Sequence, residues 1–370
     1  MEKTQEVFFE LVKAGLWEKS VCLAPYGMVD FDSVLGLAEE QTVVGLVTAG
    51  LEQVKDIKVP QVSILQFIGQ TVQLEQRNKA MNDLIAELVA KMREAGIYTL
   101  LVKGQGIAQC YEKPLWRACG DVDFFLSDEN YQKAKAFLLP LSSIQKPEGK
   151  REKHLGLNIN DWVVELHGRL YGGLSNRIEK ILDELQKDTF YGGNVRSWNN
   201  NGVQVFMLGV ENDVFYVFTH IMQHFYKGGI GIRQICDWCR LLWTYRETLQ
   251  ILKLGNMVKA ARLLSEWKTF GAFAVEYLGM PIEAMPLYSA DKRWQRKAKR
   301  IKDFILMSGN FGHNRDNSYF EKYSYVIRKC ISMGRRISDL FRHTMIFPLD
   351  SLRFFPNMMF NGLKSAANGE

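Results

Sequence analysis

Residues 98–126 read YTLLVKGQGIAQCYEKPLWRACGDVDFFL, and the rest of the chain is organised around that stretch. The apolar run Thr99 to Val102 predicts a strand, Lys103-Gly104 a turn, and the residues after it a short helix. A basic loop carrying Arg117 follows, and a second strand opens at Gly120-Asp121-Val122-Asp123. Side chains alternate along a strand, so Asp121 and Asp123 share a face, roughly 7 Å apart. Val122, Phe124 and Leu126 take the opposite face, towards the core. Two carboxylates side by side on a half-buried strand repel each other and lose hydration. They call for positive compensation, and a divalent cation with oxygen ligands supplies it with the fewest parts.

Upstream, the chain reads as helices. Val7, Phe8, Leu11, Val12 and Leu16 recur at helical spacing within residues 4–18. Asp30 or Asp32 is placed to cap a helix opening the segment Asp30 to Val54. A long periodic run from Val62 to Ala95 closes on Lys91, Arg93 and Gly96 as a last turn and C-cap would. Downstream, Ser127 or Asp128 caps a helix through Leu138, and the polar segment Ser142 to Lys153 reads as a loop or weak edge strand. Leu155 to Ile159 and Trp162 to Leu166 predict a hairpin around Asn160-Asp161. A second hairpin is expected around Asn200-Asn201-Gly202, and from VENDVFYVFTHIMQHFYKGG onward the pattern is helical. The fold class is therefore α/β (α+β): a mixed sheet with flanking helices over 96–205. A helical region (1–95) precedes it, and a helical domain (206–345) and a basic, aromatic tail (346–370) follow. The tail either packs onto the body or is an interfacial element.

Composition narrows the class. With 370 residues, 47% of them hydrophobic, the chain can bury a sizeable core. The start, MEKTQEVFFE, lacks the pattern of a secretory signal, and no run approaches the roughly 18 apolar residues of a membrane span. Six scattered cysteines then suggest reduced thiols and a cytoplasmic location. Net charge is +6, but residues 291–370 hold sixteen Lys/Arg against seven Asp/Glu. That excess suits an anionic partner; a solvated helical surface is the plainer alternative.

Glu165 stands in the second strand of the first hairpin, sharing its face with Val163 and His167. Together with Asp121 and Asp123 it makes the three-carboxylate set that two-metal phosphoryl transfer requires, with Mg²⁺ or Mn²⁺ as the ion. Glu165 or Asp123 could then receive the proton of an attacking hydroxyl. The alternative is an exposed acidic pair plus a hairpin Glu with an Arg partner. Lys103, Gly104 and Gln105 lie between strand and helix, where backbone N–H groups meet phosphate, and Lys103 and Arg117 could clamp a triphosphate. The spacing is not that of a P-loop. His220 and His224 stand four apart without the Glu of a zinc-protease motif, and Cys236 and Cys239 lie within a helical pattern. Core roles are expected for all four.

In order, LVKG, R-x-x-G-D-V-D-F-F, Lys153-His154 and V-E-L-H resemble the uncharacterised nucleotidyltransferase family of the polymerase-β-like superfamily, over roughly residues 95–245. The resemblance implies that Asp121 and Asp123 are the metal-binding pair, Glu165 the third carboxylate and Gly104 the glycine of the phosphate turn. It also implies accessory positions for His220, Arg233 and Asp237. One departure is Gly104-Gln105 where the superfamily usually has Gly-Ser or Gly-Gly. The expected activity is transfer of a nucleotidyl group from a nucleoside triphosphate to a hydroxyl of an unknown acceptor. Two rivals are a non-catalytic binding module for an anionic partner and a D-x-D glycosyltransferase. The second would need several βα units ahead of Asp121, where only one strand is read.

Overall fold

The apolar and alternating runs pair into one seven-stranded mixed sheet in the computed structural model, which describes residues 2–145, 148–149, 153–310 and 325–356. The strands are β1 (Leu100–Val102), β2 (Asp121–Phe125), β3 (Ile144–Gln145), β4 (His154–Ile159), β5 (Trp162–His167), β6 (Val195–Asn200) and β7 (Val203–Leu208). Their order across the sheet is β3-β4-β5-β2-β1-β7-β6, with β2/β5 and β1/β7 parallel. Both hairpins turn where the sequence offers residues tolerant of positive φ. Asn160 and Asp161 have φ of 49° and 66°, and Asn201 and Gly202 have 52° and 84°. Among the described residues, the segment after Ser142 supplies the short edge strand β3 and a single antiparallel bridge from Gly149 to His154; residues 146–147 and 150–152 lie outside the described residues.

Four helices precede the sheet: α1 (Glu2–Trp17), α2 (Phe31–Glu40), α3 (Val44–Leu51) and α4 (Gln61–Glu94). Asp30 caps α2, accepting from Ser33 N at 3.1 Å. Helix α5 (Gly104–Ala108) follows β1, α6 (Asp128–Leu138) follows β2, and α7 (Asn176–Phe190) lies between β5 and β6. After β7 come α8 (Val210–Lys227), α9 (Ile232–Thr244), α10 (Ile251–Ala261), α11 (Leu264–Leu278), α12 (Lys292–Ser308) and α13 (Tyr325–Ile346).

Two apolar cores cover the two faces of the sheet. On one face Val122, Phe124 and Leu126 pack with Leu84, Leu88 and Met92 of α4 and Tyr131 and Leu138 of α6. The other face joins a larger core shared by the N-terminal helices and α7 to α12. Phe125, on the carboxylate face, is itself fully buried against Phe190, with ring centroids 4.7 Å apart. Strand β2 is thus a central strand covered on both sides, more enclosed than a half-buried reading implies, because its neighbours β1 and β5 carry helices over them. Only its N-terminal end, at Asp121, opens outward.

The larger core ties distant parts of the chain together. Trp17 Nε1 donates to Leu278 O at 2.5 Å, and Phe9 packs edge-on against Phe273. Helices α1 and α3 approach so closely that a Cβ on Gly50 would stand 2.0 Å from Leu11 O. At the far end α13 packs on α8, burying His343 against Phe225 and Phe304. Phe347 and Phe354 of the tail are buried as well, while Leu349 and Leu352 between them are exposed. Phe360 and Lys364 lie outside the described residues. Among the described residues no helix is long and apolar enough to cross a membrane.

Candidate active site

Strand register assembles the site. Val102 pairs with Asp123, Asp123 with Glu165, and Glu165 with Gly156, one row across four strands. Two residues along, the next row on the same face runs Leu100, Phe125, His167, His154. Parallel pairing of β2 with β5 therefore sets Glu165 directly beside Asp123, with Asp121 one step along the same face. One carboxylate oxygen from each of Asp121, Asp123 and Glu165 lies within 4.8 Å of the others. Three converging oxygens of this kind fit a hard divalent cation such as Mg²⁺.

Part of the compensation sought by the acidic pair is already in the chain. Lys103 Nζ lies 2.9 Å from Asp123 Oδ1, and His167 Nε2 lies 2.7 Å from the same oxygen. Burial raises the Asp123 carboxyl, but Lys103 and His167 outweigh it and hold the group well below the usual carboxylate range. Burial likewise works against the Lys103 ammonium, which Asp123, Tyr216 and Asp121 nevertheless hold above its ordinary value. Asp121 moves the other way. Burial and the nearby charges of Asp123 and Glu165 raise it, against the pull of Lys103 and Arg233. Glu165 is opposed by burial yet ends below its usual value through its hydrogen bond with His154, whose Nε2 is 2.9 Å from Oε2. That same bond raises the His154 imidazole. Glu165 thus has a histidine partner where the sequence alternative offered an arginine.

The turn after β1 is unusual in its backbone. Lys103 has φ of 58° and Gly104 of 43°, and a Cβ on Gly104 would meet Cys119 Sγ at 3.2 Å. A non-glycine residue held in this region costs of order 1–3 kcal/mol and is kept only where its surroundings demand it. Here the strained backbone delivers the Lys103 ammonium to Asp123. The two other residues expected to contact phosphate are engaged elsewhere. Gln105 is buried, its Nε2 donating to Asn78 Oδ1 at 2.8 Å. Arg117 forms a buried fork on Asp237, with Nε to Oδ1 at 3.1 Å and Nη2 to Oδ2 at 2.5 Å. Tyr111 also donates to Asp237 Oδ1, at 2.8 Å.

Helices α8 and α9 close the site from above. Tyr216 is buried, and its hydroxyl is pushed up to about 12 by desolvation. His220 and His224 meet Nε2 to Nε2 at 3.0 Å, and burial lowers both, His224 to about 4. Cys236 and Cys239 are fully buried. Arg233 Nη1 donates to Ala118 O at 2.6 Å, and its buried Nε has no hydrogen-bond partner. Arg233, Arg117 and Ala118 form one wall of a cavity of about 440 Å³ bounded by α1, α3, Tyr111 and Trp116.

His154 and His167 were not assigned a role by sequence reasoning, although both stand in the motifs quoted and His167 shares a face with Glu165. Their meeting depends on the β4/β5 register, which places them directly opposite each other.

One mixed sheet with flanking helices is consistent with a nucleotidyltransferase fold. The family described as uncharacterised nucleotidyltransferase matches residues 27–278, and the chain belongs to it. That span takes in helices on both sides of residues 95–245, where the motifs lie. An antigenic nucleotidyltransferase-like protein from Paracoccidioides brasiliensis is a similar solved structure. It has 13% identity, covers 50% of this chain and 90% of its own, and superposes with a TM-score of 0.30. No curated protein matches.

Proposed function

We propose that the protein is a metal-dependent nucleotidyltransferase that moves a nucleotidyl group from a nucleoside triphosphate to an acceptor hydroxyl and releases pyrophosphate. The observation carrying this reading is the convergence of Asp121, Asp123 and Glu165 within 4.8 Å beside the Lys103 turn. Asp121, Asp123 and Glu165 would hold Mg²⁺ or Mn²⁺, which when bound would offset triphosphate charge and make the acceptor hydroxyl easier to ionise. The chain's own groups do the rest. Lys103 keeps Asp123 ionised and adds a fixed positive charge under the phosphates. The acceptor oxygen forms a bond to the α-phosphorus as the bond to pyrophosphate breaks. Its proton passes to a carboxylate of the set, Glu165 or Asp123. His154 and His167 hold Glu165 and Asp123 in position. Calorimetry tests the first step: NTP should bind only with a divalent cation, and Asp121→Asn should weaken that binding at least tenfold. Binding that ignores both the cation and this substitution would remove the proposal.

A second reading is a binding module that retains the fold without the chemistry. It draws on Gln105 and Arg117, both committed to protein partners. In that case the basic region from residue 291 would hold an anionic partner. Salt-sensitive binding to nucleic acid or anionic lipid, with no cation-dependent NTP binding, would favour it.

A further inference from the structure

We propose that His154, Glu165 and His167 form a second cation site, rich in nitrogen, which takes a divalent transition-metal ion and shares Glu165 with the Asp121–Asp123 pair. The inference deepens the nucleotidyl-transfer reading and rests on it for the role of the shared carboxylate.

All three side chains project from one face. Glu165 and His167 are two apart on β5, and His154 is directly opposite His167 on β4. The two imidazoles stack with centroids 4.8 Å apart and planes at 27°, so both can turn the same edge towards Glu165. His154 Nε2 is 2.9 Å and His167 Nε2 is 3.7 Å from Glu165 Oε2, and one donor atom of each residue lies within 4.8 Å of the other two. Gly156, paired with Glu165 on β4, puts no side chain between them. A four-coordinate ion with bonds of about 2.1 Å holds neighbouring donors about 3.4 Å apart. The His167 gap is already near that value, though His167 Nε2 would exchange its 2.7 Å contact with Asp123 Oδ1 for the ion, and the His154 gap needs to open by only about 0.5 Å.

Donor chemistry separates the two sites. Three carboxylates are an all-oxygen set, which suits Mg²⁺. Two imidazoles and one carboxylate are the set that holds catalytic zinc or non-haem iron with positions left open, and Mg²⁺ competes poorly for it. The alternative is that the histidines never bind metal and only orient the carboxylates through hydrogen bonds.

Co²⁺ distinguishes these outcomes. The full chain, freed of metal, is titrated with Co²⁺ in millimolar Mg²⁺ and followed by visible absorption. We expect one tightly held Co²⁺ with the intense band of a low-coordinate, imidazole-ligated ion. The band should survive Asp121→Asn and fall at least tenfold in affinity in His154→Gln/His167→Gln, checked for fold by circular dichroism. If that double variant does not fold, His154→Gln alone, at a side chain 37% exposed, carries the same expectation. A band that persists in the histidine variants, or Co²⁺ that Mg²⁺ displaces completely, overturns the second site. Mg²⁺-dependent NTP binding in the same preparation keeps the two ideas apart, because NTP binding without the cobalt band sinks only this one.

Discussion

Replacing Lys103 by Met removes one positive charge from the site while keeping a linear side chain of similar volume. The ammonium it deletes lies 2.9 Å from Asp123 Oδ1, and the Asp123 side chain is only 2% exposed. Stripping one partner from a buried ion pair leaves an uncompensated charge, at a typical cost of about 3–5 kcal/mol. His167 still contacts that oxygen at 2.7 Å, which puts the expected loss at the low end, about 3 kcal/mol. Urea unfolding at neutral pH reads the loss directly as a lower midpoint at unchanged slope. Adding Asp123→Asn should recover most of it, giving a coupling of about 2 kcal/mol in the double-mutant cycle. A millimolar divalent cation should stabilise Lys103→Met more than the wild type, since the ion supplies the charge that was removed. A loss under about 0.5 kcal/mol, or additive effects in the cycle, would refute the reasoning, because either would mean that Lys103 is not compensating Asp123.

Asp237→Asn breaks the buried fork with Arg117 and should cost about 3–5 kcal/mol by urea unfolding, while Arg117→Lys, which keeps the charge but loses the fork, should cost less. Gly50→Ala drives a Cβ into the Leu11 carbonyl, and its melting temperature should fall with a loss of at least about 2 kcal/mol. Acid should destabilise the protein through His224. Burial lowers its folded-state value to about 4, so the unfolded chain binds the proton more readily. Its contribution is complete above about 6.5 and is lost as pH falls towards about 4, in total about 3 kcal/mol. His224→Gln should flatten the slope of stability against pH in that window.

Local signals were legible where the physics is local. Asn160-Asp161 and Asn201-Gly202 announce hairpins because their residues accept positive φ, and Gly120-Asp121-Val122-Asp123 announces a strand with paired carboxylates. Glu165 was legible as a charge misplaced in an apolar strand. The partners of these groups were not, because they are set by register and packing across long stretches of chain. Arg117 finds Asp237 on α9, 120 residues away, and Gln105 finds Asn78 on α4. From composition alone both look free to meet phosphate. Lys103 was read as a phosphate contact; that its ammonium also neutralises Asp123 depends on a strained turn no propensity predicts. The His154–His167 stack needs the β4/β5 pairing before the two rings can be placed together.

The central claim is that three carboxylates gathered by the β2/β5 register support nucleotidyl transfer. Its most direct test incubates the protein with α-labelled NTPs, a divalent cation and a mixture of hydroxyl-bearing acceptors. Label should move to a new species with stoichiometric pyrophosphate, and Asp121→Asn should lower the rate by at least about 10³-fold while leaving the unfolding midpoint nearly unchanged. Transfer that survives Asp121→Asn, or a wild type that binds NTP with its cation and never releases pyrophosphate, would contradict it.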